Sequence, residues 1–226
     1  MRISNLHFDL VIFDLDGTLV EFRYPSAEVR RSISDLLTSF GISLPPQALR
    51  RNTQDIFDEV AFQVKKSGSL NLEEVMARLN DVIDLYEMEA AASTNIYEDT
   101  KYVLEVLKKN GLRAALVTNN GRKATEFMLK RFDIKGFFDV IITRSDGLRL
   151  KPYPDGILCV LDKVGASSSK TLFVGDSPID VKAGKAAGVT VAALKSTFFK
   201  SLSDFEIKPD YLLDRLSDIL LLIRRL

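Results

Sequence analysis

Short, almost uninterrupted runs of apolar residues recur along the chain and predict the strands of a buried sheet. They lie at 8–14, 112–119, 137–143, 171–176 and 189–194, with a weaker run at 211–214. A strand covered on both faces has such a continuous apolar sequence, because both of its sides are buried. Stretches with helical spacing separate these runs at 99–110, 122–132, 154–164 and 178–188. The alternation predicts an α/β fold: a Rossmann-like parallel sheet flanked by helices.

One interval breaks this alternation. Between Glu21 and Asn95 no strand run occurs, and three helical patterns take its place near 26–40, 46–66 and 71–91. This interval begins after the first predicted strand and ends before the second. Open α/β sheets bind their ligands at this carboxyl edge. We therefore predict an inserted all-α cap domain over 21–94 and a catalytic core made of 1–20 and 95–226.

Composition and charge narrow the classes of partner. The 226 residues include 31 basic and 31 acidic side chains, so no global field favours nucleic acid or an anionic membrane. The single cysteine, Cys159, excludes an intramolecular disulfide and a cysteine-rich zinc site. No apolar run approaches the ~20 residues that span a bilayer, and the N-terminus lacks a signal-peptide pattern. We expect a cytoplasmic protein without a nucleic-acid or membrane partner.

Two carboxylates, Asp14 and Asp16, follow the first predicted strand, and Gly17 allows a sharp turn after them. Two unit charges about 4 Å apart repel by about 4 kcal/mol at an effective dielectric constant of about 20. This repulsion is offset if a cation lies between the two carboxylates, or if one of them carries a proton that it transfers to a reacting group. A calcium loop is excluded, because Thr18 and Leu19 stand where that motif requires Asp or Asn and then Gly.

Other strand ends carry complementary groups. Thr118 and Asn119 follow the second strand and can bind phosphate oxygens, and Lys151 can supply a positive charge for an anion. Asp176 follows a later strand, and Asp180 lies in the first turn of the next helix. Each residue alone could be a turn residue, a helix cap or a solvated side chain. Together, carboxylates, phosphate oxygens and water are ligands that suit magnesium.

These motifs resemble those of the haloacid dehalogenase superfamily of hydrolases over nearly the full chain. The superfamily's DxDGT motif matches residues 14–18, its second-strand Thr or Ser matches Thr118, and its lysine matches Lys151. Its acidic GDxxxD motif matches residues 175–180. The insert resembles the helical C1-type cap of the phosphoglycolate phosphatase-like members.

The resemblance implies a magnesium-dependent phosphatase that hydrolyses a small phosphorylated metabolite through an aspartyl-phosphate intermediate. Asp14 would be the nucleophile, and Asp16 would protonate the leaving oxygen and then activate water. The implied metal-site residues are Asp14, Asp16 through its backbone carbonyl, Asp176 and Asp180. Of these, Asp180 would orient either the metal's waters or Lys151. The implied phosphate contacts are Thr18, Thr118, Asn119 and Lys151.

Several alternatives follow from the same motifs. Asp16 disfavours C–Cl and C–P cleavage, because the superfamily members with those activities lack an acid–base residue at this position. A sugar-phosphate mutase remains an alternative, although the mutases resemble DxDGV more than DxDGT. A receiver-like signalling domain is a non-enzymatic alternative, since it also has an acceptor Asp, a Thr and a Lys on a parallel sheet. A receiver has no use for a long helical insert.

The cap is expected to select the substrate, and the sequence does not indicate which phosphorylated compound that is. Arg50 and Arg51 are the best candidate contacts for an anionic substrate, because they follow Pro45 and Pro46 and lie near the predicted start of the second cap helix. The alternative is that they are solvated charges on a helix face, in which case the cap selects by shape alone. The sequence gives no indication of oligomeric state.

Overall fold

The computed structural model describes residues 8–21, 24–45, 48–49, 52–196, 201–202 and 206–223. The chain divides into two compact units: Met1–Phe22 with Thr94–Leu226, here called the core unit, and Arg23–Ser93, here called the helical unit. All strands of the sheet belong to the core unit. Among the described residues of the helical unit, the regular elements are helices alone.

The core unit contains a six-stranded sheet in the order β3-β2-β1-β4-β5-β6, and every neighbouring pair is parallel. The strands are β1 Leu10–Phe13, β2 Arg113–Val117, β3 Val140–Ile142, β4 Thr171–Gly175, β5 Thr190–Leu194 and β6 Tyr211–Leu213. All four residues of β1 are fully buried, as the unbroken apolar run predicts for a central strand. The predicted Rossmann-like α/β fold is therefore confirmed.

Eight α-helices lie in the described residues. They are α1 Ser26–Ser39, α2 Thr53–Ser67, α3 Leu72–Ser93, α4 Thr100–Lys109, α5 Arg122–Arg131, α6 Asp155–Val164, α7 Pro178–Ala186 and α8 Ile219–Leu222. The helices α6 and α7 bury apolar side chains such as Ile157 and Val181 against a cluster that includes Ile12 and Phe173 of the sheet. This packing fixes α7, which begins just after the carboxyl end of β4, and α6, which begins just after Lys151.

The helical unit has a core of its own. The helices α1, α2 and α3 contribute one apolar stripe each, at the spacing of three and four residues that an amphipathic helix requires. The fully or nearly fully buried members are Val29, Ile33 and Leu37 of α1, Val60 and Val64 of α2, and Val75, Leu79 and Ile83 of α3. The helical patterns predicted near 26–40 and 71–91 agree with α1 and α3.

The predicted start of the second insert helix is wrong. The pattern predicted a helix over 46–66, whereas α2 begins at Thr53 and residues 48–49 form a turn. The reason is the N-cap, because the Asn52 side chain accepts a hydrogen bond of 3.0 Å from the backbone N–H of Asp55. Arg50 and Arg51, the predicted cap contacts, lie outside the described residues.

No helix in the described ranges of the chain is both long enough and apolar enough to cross a bilayer.

Candidate active site

The site lies at the carboxyl edge of the sheet, where three adjacent strands end. β1 lies between β2 and β4, and Phe13 is in register with Leu116 on one side and Val174 on the other. Asp14 continues the ladder by donating its backbone N–H to the carbonyl of Val174, at 2.9 Å. Residues that follow these strands, namely Asp14, Thr118 and Asp176, are therefore neighbours, although they are far apart in sequence.

A buried lysine joins two of the predicted carboxylates. The ammonium of Lys151 donates to Asp14 Oδ1 at 2.5 Å and to Asp180 Oδ1 at 2.6 Å. All three side chains are at least nine-tenths buried. Breaking a buried pair of this kind by removing one partner costs roughly 3–5 kcal/mol, since it leaves an uncompensated charge. Lys151 is thus a buried member of the site rather than a solvated loop lysine.

The negative charge of the site exceeds what Lys151 can balance. Asp14, Asp176 and Asp180 each offer a carboxylate oxygen within 4.8 Å of the others, so the cluster with one ammonium has a formal charge of −2 when all are ionised. Burial raises the pKa of Asp14 well above its usual value, against the opposing effect of Lys151. Burial, followed by the charge of Asp180, raises the pKa of Asp176 to about 7. A divalent cation would offset this excess charge.

The electrostatic field of these carboxylates also acts on Lys151. Burial by itself disfavours the ammonium, but the charges and hydrogen bonds of Asp14 and Asp180 outweigh it and raise the pKa of Lys151. Lys151 therefore stays positively charged at neutral pH and presents a fixed cation at the edge of the sheet.

Asp180 is held by the start of α7. Its Oδ2 accepts from the Ser177 hydroxyl and from the Ser177 backbone N–H at 3.1 Å, which makes a capping box at this helix N-terminus. Its Oδ1 accepts from Lys151. The sequence left two roles open for Asp180, and these contacts favour the one in which it orients Lys151. One carboxylate oxygen of Asp180 therefore caps the helix, and the other accepts from Lys151.

The loop of residues 118–120 supplies further contacts. The Thr118 hydroxyl accepts from the backbone N–H of Asn120 at 3.1 Å, so its own hydrogen remains a donor that it can offer. The Asn119 side chain accepts from the backbone N–H of Lys151 and donates to the Lys151 carbonyl, both at 3.0 Å. Asn119 therefore fixes the backbone from which the Lys151 side chain extends.

Asp16 has a contact on the other side of this strand end, with the loop of residues 118–120. Its Oδ2 accepts from the side-chain amide of Asn120 at 2.6 Å, and both residues are half-buried. Asp14 and Asp16 thus have different surroundings: Asp14 is buried against a cation, whereas Asp16 contacts a neutral amide. That difference is consistent with two separate roles for the pair.

Three of the predicted substrate contacts stay predictions. Thr18 is fully buried, and its Oγ1 has no hydrogen-bond partner within the described part of the chain. Its contact with a substrate stays a prediction, as do the contacts of Arg50 and Arg51.

Sequence reasoning missed several residues that shape the site. Ser196 donates its hydroxyl to the Asp176 carbonyl at 2.9 Å, and Asn120 binds Asp16. Tyr97 lies close enough for the Asp176 charge to contribute, after burial, to a raised pKa of its phenol. The repeated Asn in LVTNN was a signal for Asn120, since a second side-chain amide after Thr118 is available for another contact. Ser196 and Tyr97 carry no local signal.

Gly17 makes room for the Asp176 carboxylate. Its φ is +78°, and a Cβ at this position would overlap the carboxylate atoms of Asp176. Gly17→Ala is expected to displace Asp176 and to remove most of the phosphatase activity that the motifs predict, because the backbone strain of about 1–2 kcal/mol is joined by a clash within the cluster. Activity at saturating magnesium and the melting temperature are the measurements.

Gly111→Ala is the matched control for Gly17→Ala. Gly111 has a φ of +72° and no atom within 4 Å of its would-be Cβ, so it carries the same backbone strain without a clash. The control should lose stability but keep its activity. Equal activity losses in the two variants would show that backbone strain, and not the position of Asp176, is responsible.

The donor set fits a magnesium ion. Magnesium prefers oxygen ligands and is bound in proteins through one or two carboxylates plus substrate phosphate oxygens and water. Asp14 and Asp176 supply two buried carboxylates within reach of a single ion. Asp180 belongs to the same cluster, but its contacts with Lys151 and Ser177 make it the least available ligand.

Comparison with known proteins shows the family of this chain. The family model described as "haloacid dehalogenase-like hydrolase" matches residues 11–194, which include every motif residue named above. The chain belongs to the haloacid dehalogenase-like hydrolase family. The resemblance inferred from the motifs is confirmed, and with it the expectation of an enzyme, a phosphatase of the haloacid dehalogenase type.

Individual relatives of this haloacid dehalogenase-like hydrolase cover most of its length. It is 33% identical over 218 residues to phosphoglycolate phosphatase 1 of Pseudomonas aeruginosa, covering 93% of this chain and 78% of that one. It is 28% identical to the pyrophosphatase PpaX of Bacillus cereus, covering 95% and 96% of the two chains. A crystal structure of a predicted phosphoglycolate phosphatase from Haemophilus somnus has a TM-score of 0.66 and 26% identity, covering 96% and 98%.

Proposed function

We propose that this protein is a magnesium-dependent phosphatase that hydrolyses a small phosphorylated metabolite through an aspartyl-phosphate intermediate on Asp14. The observation that supports this most is the buried cluster at the sheet edge, in which Lys151 binds Asp14 and Asp180 while Asp176 lies within 4.8 Å. Apolar side chains of similar volume would stabilise the fold at least as well as this buried, negatively charged cluster. The cluster therefore indicates a function rather than a contribution to stability.

The first half-reaction uses Asp14 as the nucleophile. A carboxylate oxygen of Asp14 attacks phosphorus, and the bond between phosphorus and the leaving oxygen breaks. Asp16 gives a proton to that oxygen, so the product leaves as an alcohol or an acid rather than as an alkoxide. Lys151 and the Thr118 hydroxyl stabilise the charge on the transferring phosphoryl group, which is where most of the rate enhancement in such reactions arises.

The second half-reaction regenerates the enzyme. Asp16, now ionised, takes a proton from a water molecule, whose oxygen attacks phosphorus. The bond between phosphorus and Asp14 breaks, and inorganic phosphate is released. The same carboxyl group therefore acts first as an acid and then as a base, which requires that it stay close to the reacting oxygens in both steps.

Asp14 and Asp176 would hold the magnesium ion through their carboxylates, and Asp16 through its backbone carbonyl. The bound ion supplies positive charge, which offsets the repulsion between Asp14 and a phosphate dianion. Asp180 contributes by keeping the Lys151 ammonium in place. The helical unit is proposed as the cap that selects the substrate, and a cytoplasmic location stays a prediction from the sequence.

The substrate class follows from the relatives. The names of the Pseudomonas aeruginosa and Bacillus cereus proteins specify phosphoglycolate and pyrophosphate, both small phosphorylated anions. We infer a substrate of this class for the present enzyme.

A panel of phosphorylated metabolites tests the proposed function. Phosphoglycolate, pyrophosphate, sugar phosphates and nucleoside monophosphates are incubated with the enzyme and magnesium, and the release of inorganic phosphate is measured. We expect rapid release from at least one small anion. An isomerised sugar phosphate without phosphate release would indicate a mutase instead. A stable phosphoenzyme without turnover would indicate a phospho-acceptor protein.

A further inference from the structure

Asp16 accepts a hydrogen bond from Asn120, a residue outside the motifs described above. The side-chain Nδ2 of Asn120 donates to Asp16 Oδ2 at 2.6 Å, across 104 positions of sequence. Asp16 follows β1 and Asn120 follows β2, so the contact crosses between two neighbouring strand ends of the core unit. A hydrogen bond of this length between half-buried groups restricts the rotation of the Asp16 side chain.

Asn120 is itself fixed by its backbone. Its N–H donates to the Thr118 hydroxyl oxygen at 3.1 Å, and its carbonyl accepts from the Arg144 backbone N–H at 2.9 Å. The guanidinium of Arg144, a buried residue, donates in turn to the Asn119 carbonyl at 3.1 Å. The amide of Asn120 therefore extends from a loop that is braced on both sides, and it can set the direction of the Asp16 carboxylate.

The chemistry of an amide suits this task. A carboxyl group that carries its proton on one oxygen can still accept a hydrogen bond on the other. A contact from Asn120 to Oδ2 can therefore persist when Asp16 is protonated and when it is ionised, provided that Oδ1 carries the proton. Asp16 acts in both half-reactions, so a contact of this kind keeps it aligned through the whole cycle. A lysine at this position would instead add a second fixed cation beside the leaving group.

We propose that Asn120 is a positioning residue that holds the Asp16 carboxylate in line with the leaving oxygen of the substrate. This inference rests on the proposed phosphatase function. Asn120 acts through Asp16 and takes no part in binding the phosphoryl group. Its contribution is therefore largest where protonation of the leaving group matters most, that is, for alkyl phosphates, and smallest for aryl phosphates whose leaving groups need little protonation.

The test compares Asn120→Ala with the wild type on two substrates. One is the alkyl phosphate that the metabolite panel finds to be cleaved fastest, and the other is p-nitrophenyl phosphate. We expect kcat on the alkyl phosphate to fall by about tenfold or more, a part of the 10²–10⁴ that acid–base catalysis contributes, with KM nearly unchanged. The loss on p-nitrophenyl phosphate should be severalfold smaller. Equal losses on the two substrates would overturn the proposal.

A double mutant separates positioning from other effects. If Asn120 acts only through Asp16, adding Asn120→Ala to Asp16→Asn should cause no further loss of kcat on the alkyl phosphate. A further loss equal to that of the single mutant would show that Asn120 acts independently of Asp16, which overturns the proposal. Asn110→Ala is the matched control, because Asn110 is exposed and its side-chain amide donates to the carbonyl of Val106, one turn earlier in the chain.

A further variant and the wild-type activity distinguish three outcomes: a variant that does not fold, a wrong proposed function and a wrong role for Asn120. If Asn120→Ala does not fold, Asn120→Ser keeps a small polar side chain and should show the same preference between the two substrates. A wild type that releases no phosphate from either substrate contradicts the proposed function. An active wild type whose rates Asn120→Ala does not change contradicts the positioning role alone.

Discussion

Asp14→Asn is expected to abolish phosphate release and to prevent the formation of a phosphoenzyme. An amide is not a competent nucleophile at phosphorus, and the substitution also replaces the charged acceptor of the 2.5 Å hydrogen bond from Lys151 with a neutral amide. Losses on the order of 10⁴ or more are typical when a nucleophile is removed. Steady-state phosphate release and the intact mass of acid-quenched enzyme are the measurements.

Asp16→Asn provides the comparison within the same motif. It should reduce kcat by a factor on the order of 10²–10⁴ on an alkyl phosphate, the usual contribution of acid–base catalysis. It should retain the ability to form a phosphoenzyme from an aryl phosphate, because that leaving group needs little protonation. Equal residual activity in the Asp14 and Asp16 variants would contradict the assignment of separate roles.

The different surroundings of the two aspartates explain why the sequence alone could not assign these roles without a resemblance. Two carboxylates two residues apart indicate a cation or a proton, and nothing local decides between those explanations. The structure gives the two aspartates different surroundings: Asp14 is buried against Lys151, and Asp16 is half-buried against the Asn120 amide. Both partners are more than 100 residues away, at 137 and 104 positions along the chain.

The sheet was predictable for a simple physical reason. Strands buried on both faces need continuous apolar runs, and the runs at 8–14 and 171–176 produced β1 and β4 with boundaries that differ by at most two residues. Parallel strands place their carboxyl ends at one edge, so the order of residues along the chain is enough to group the polar side chains that follow such runs. Asp14 and Asp176 belong to the group that this rule selects.

Elements that depend on one side-chain contact were less predictable. The apolar spacing extended the second insert helix towards residue 46, but the Asn52 cap starts α2 at Thr53. The role of Asp180 was similarly open, because an acidic residue in a first helical turn has several explanations. Only the positions of Lys151 and Ser177 show that its two oxygens are both engaged.

Removal of magnesium is expected to have an effect as large as the loss of Asp14. Three buried carboxylates face one ammonium, and burial raises the pKa values of Asp14 and Asp176. Both raised values express the same cost: negative charge is destabilised at this site in the absence of a cation. A phosphate dianion would add further negative charge. Chelator should therefore abolish phosphate release, and added magnesium should restore it, whereas calcium, with its larger and looser coordination, should restore it poorly.

The same ion should stabilise the fold without any substrate. A ligand at about 100 times its dissociation constant stabilises a protein by about 2.7 kcal/mol, which corresponds to roughly 5–10 °C in the melting temperature for a chain of this length. Differential scanning fluorimetry with magnesium or chelator measures the shift independently of activity.

Asp176→Asn is the variant that links the stability shift to the site. The neutral amide removes one of the two carboxylates proposed as ligands, so both the magnesium-dependent shift and the phosphatase activity should be lost or greatly reduced. Asp162→Asn is the matched control, because Asp162 is exposed on α6 and lies outside the acidic cluster. It should keep the wild-type shift. Full activity in chelator would contradict the metal site, and an unchanged shift in Asp176→Asn would place the stabilising ion elsewhere on the molecule.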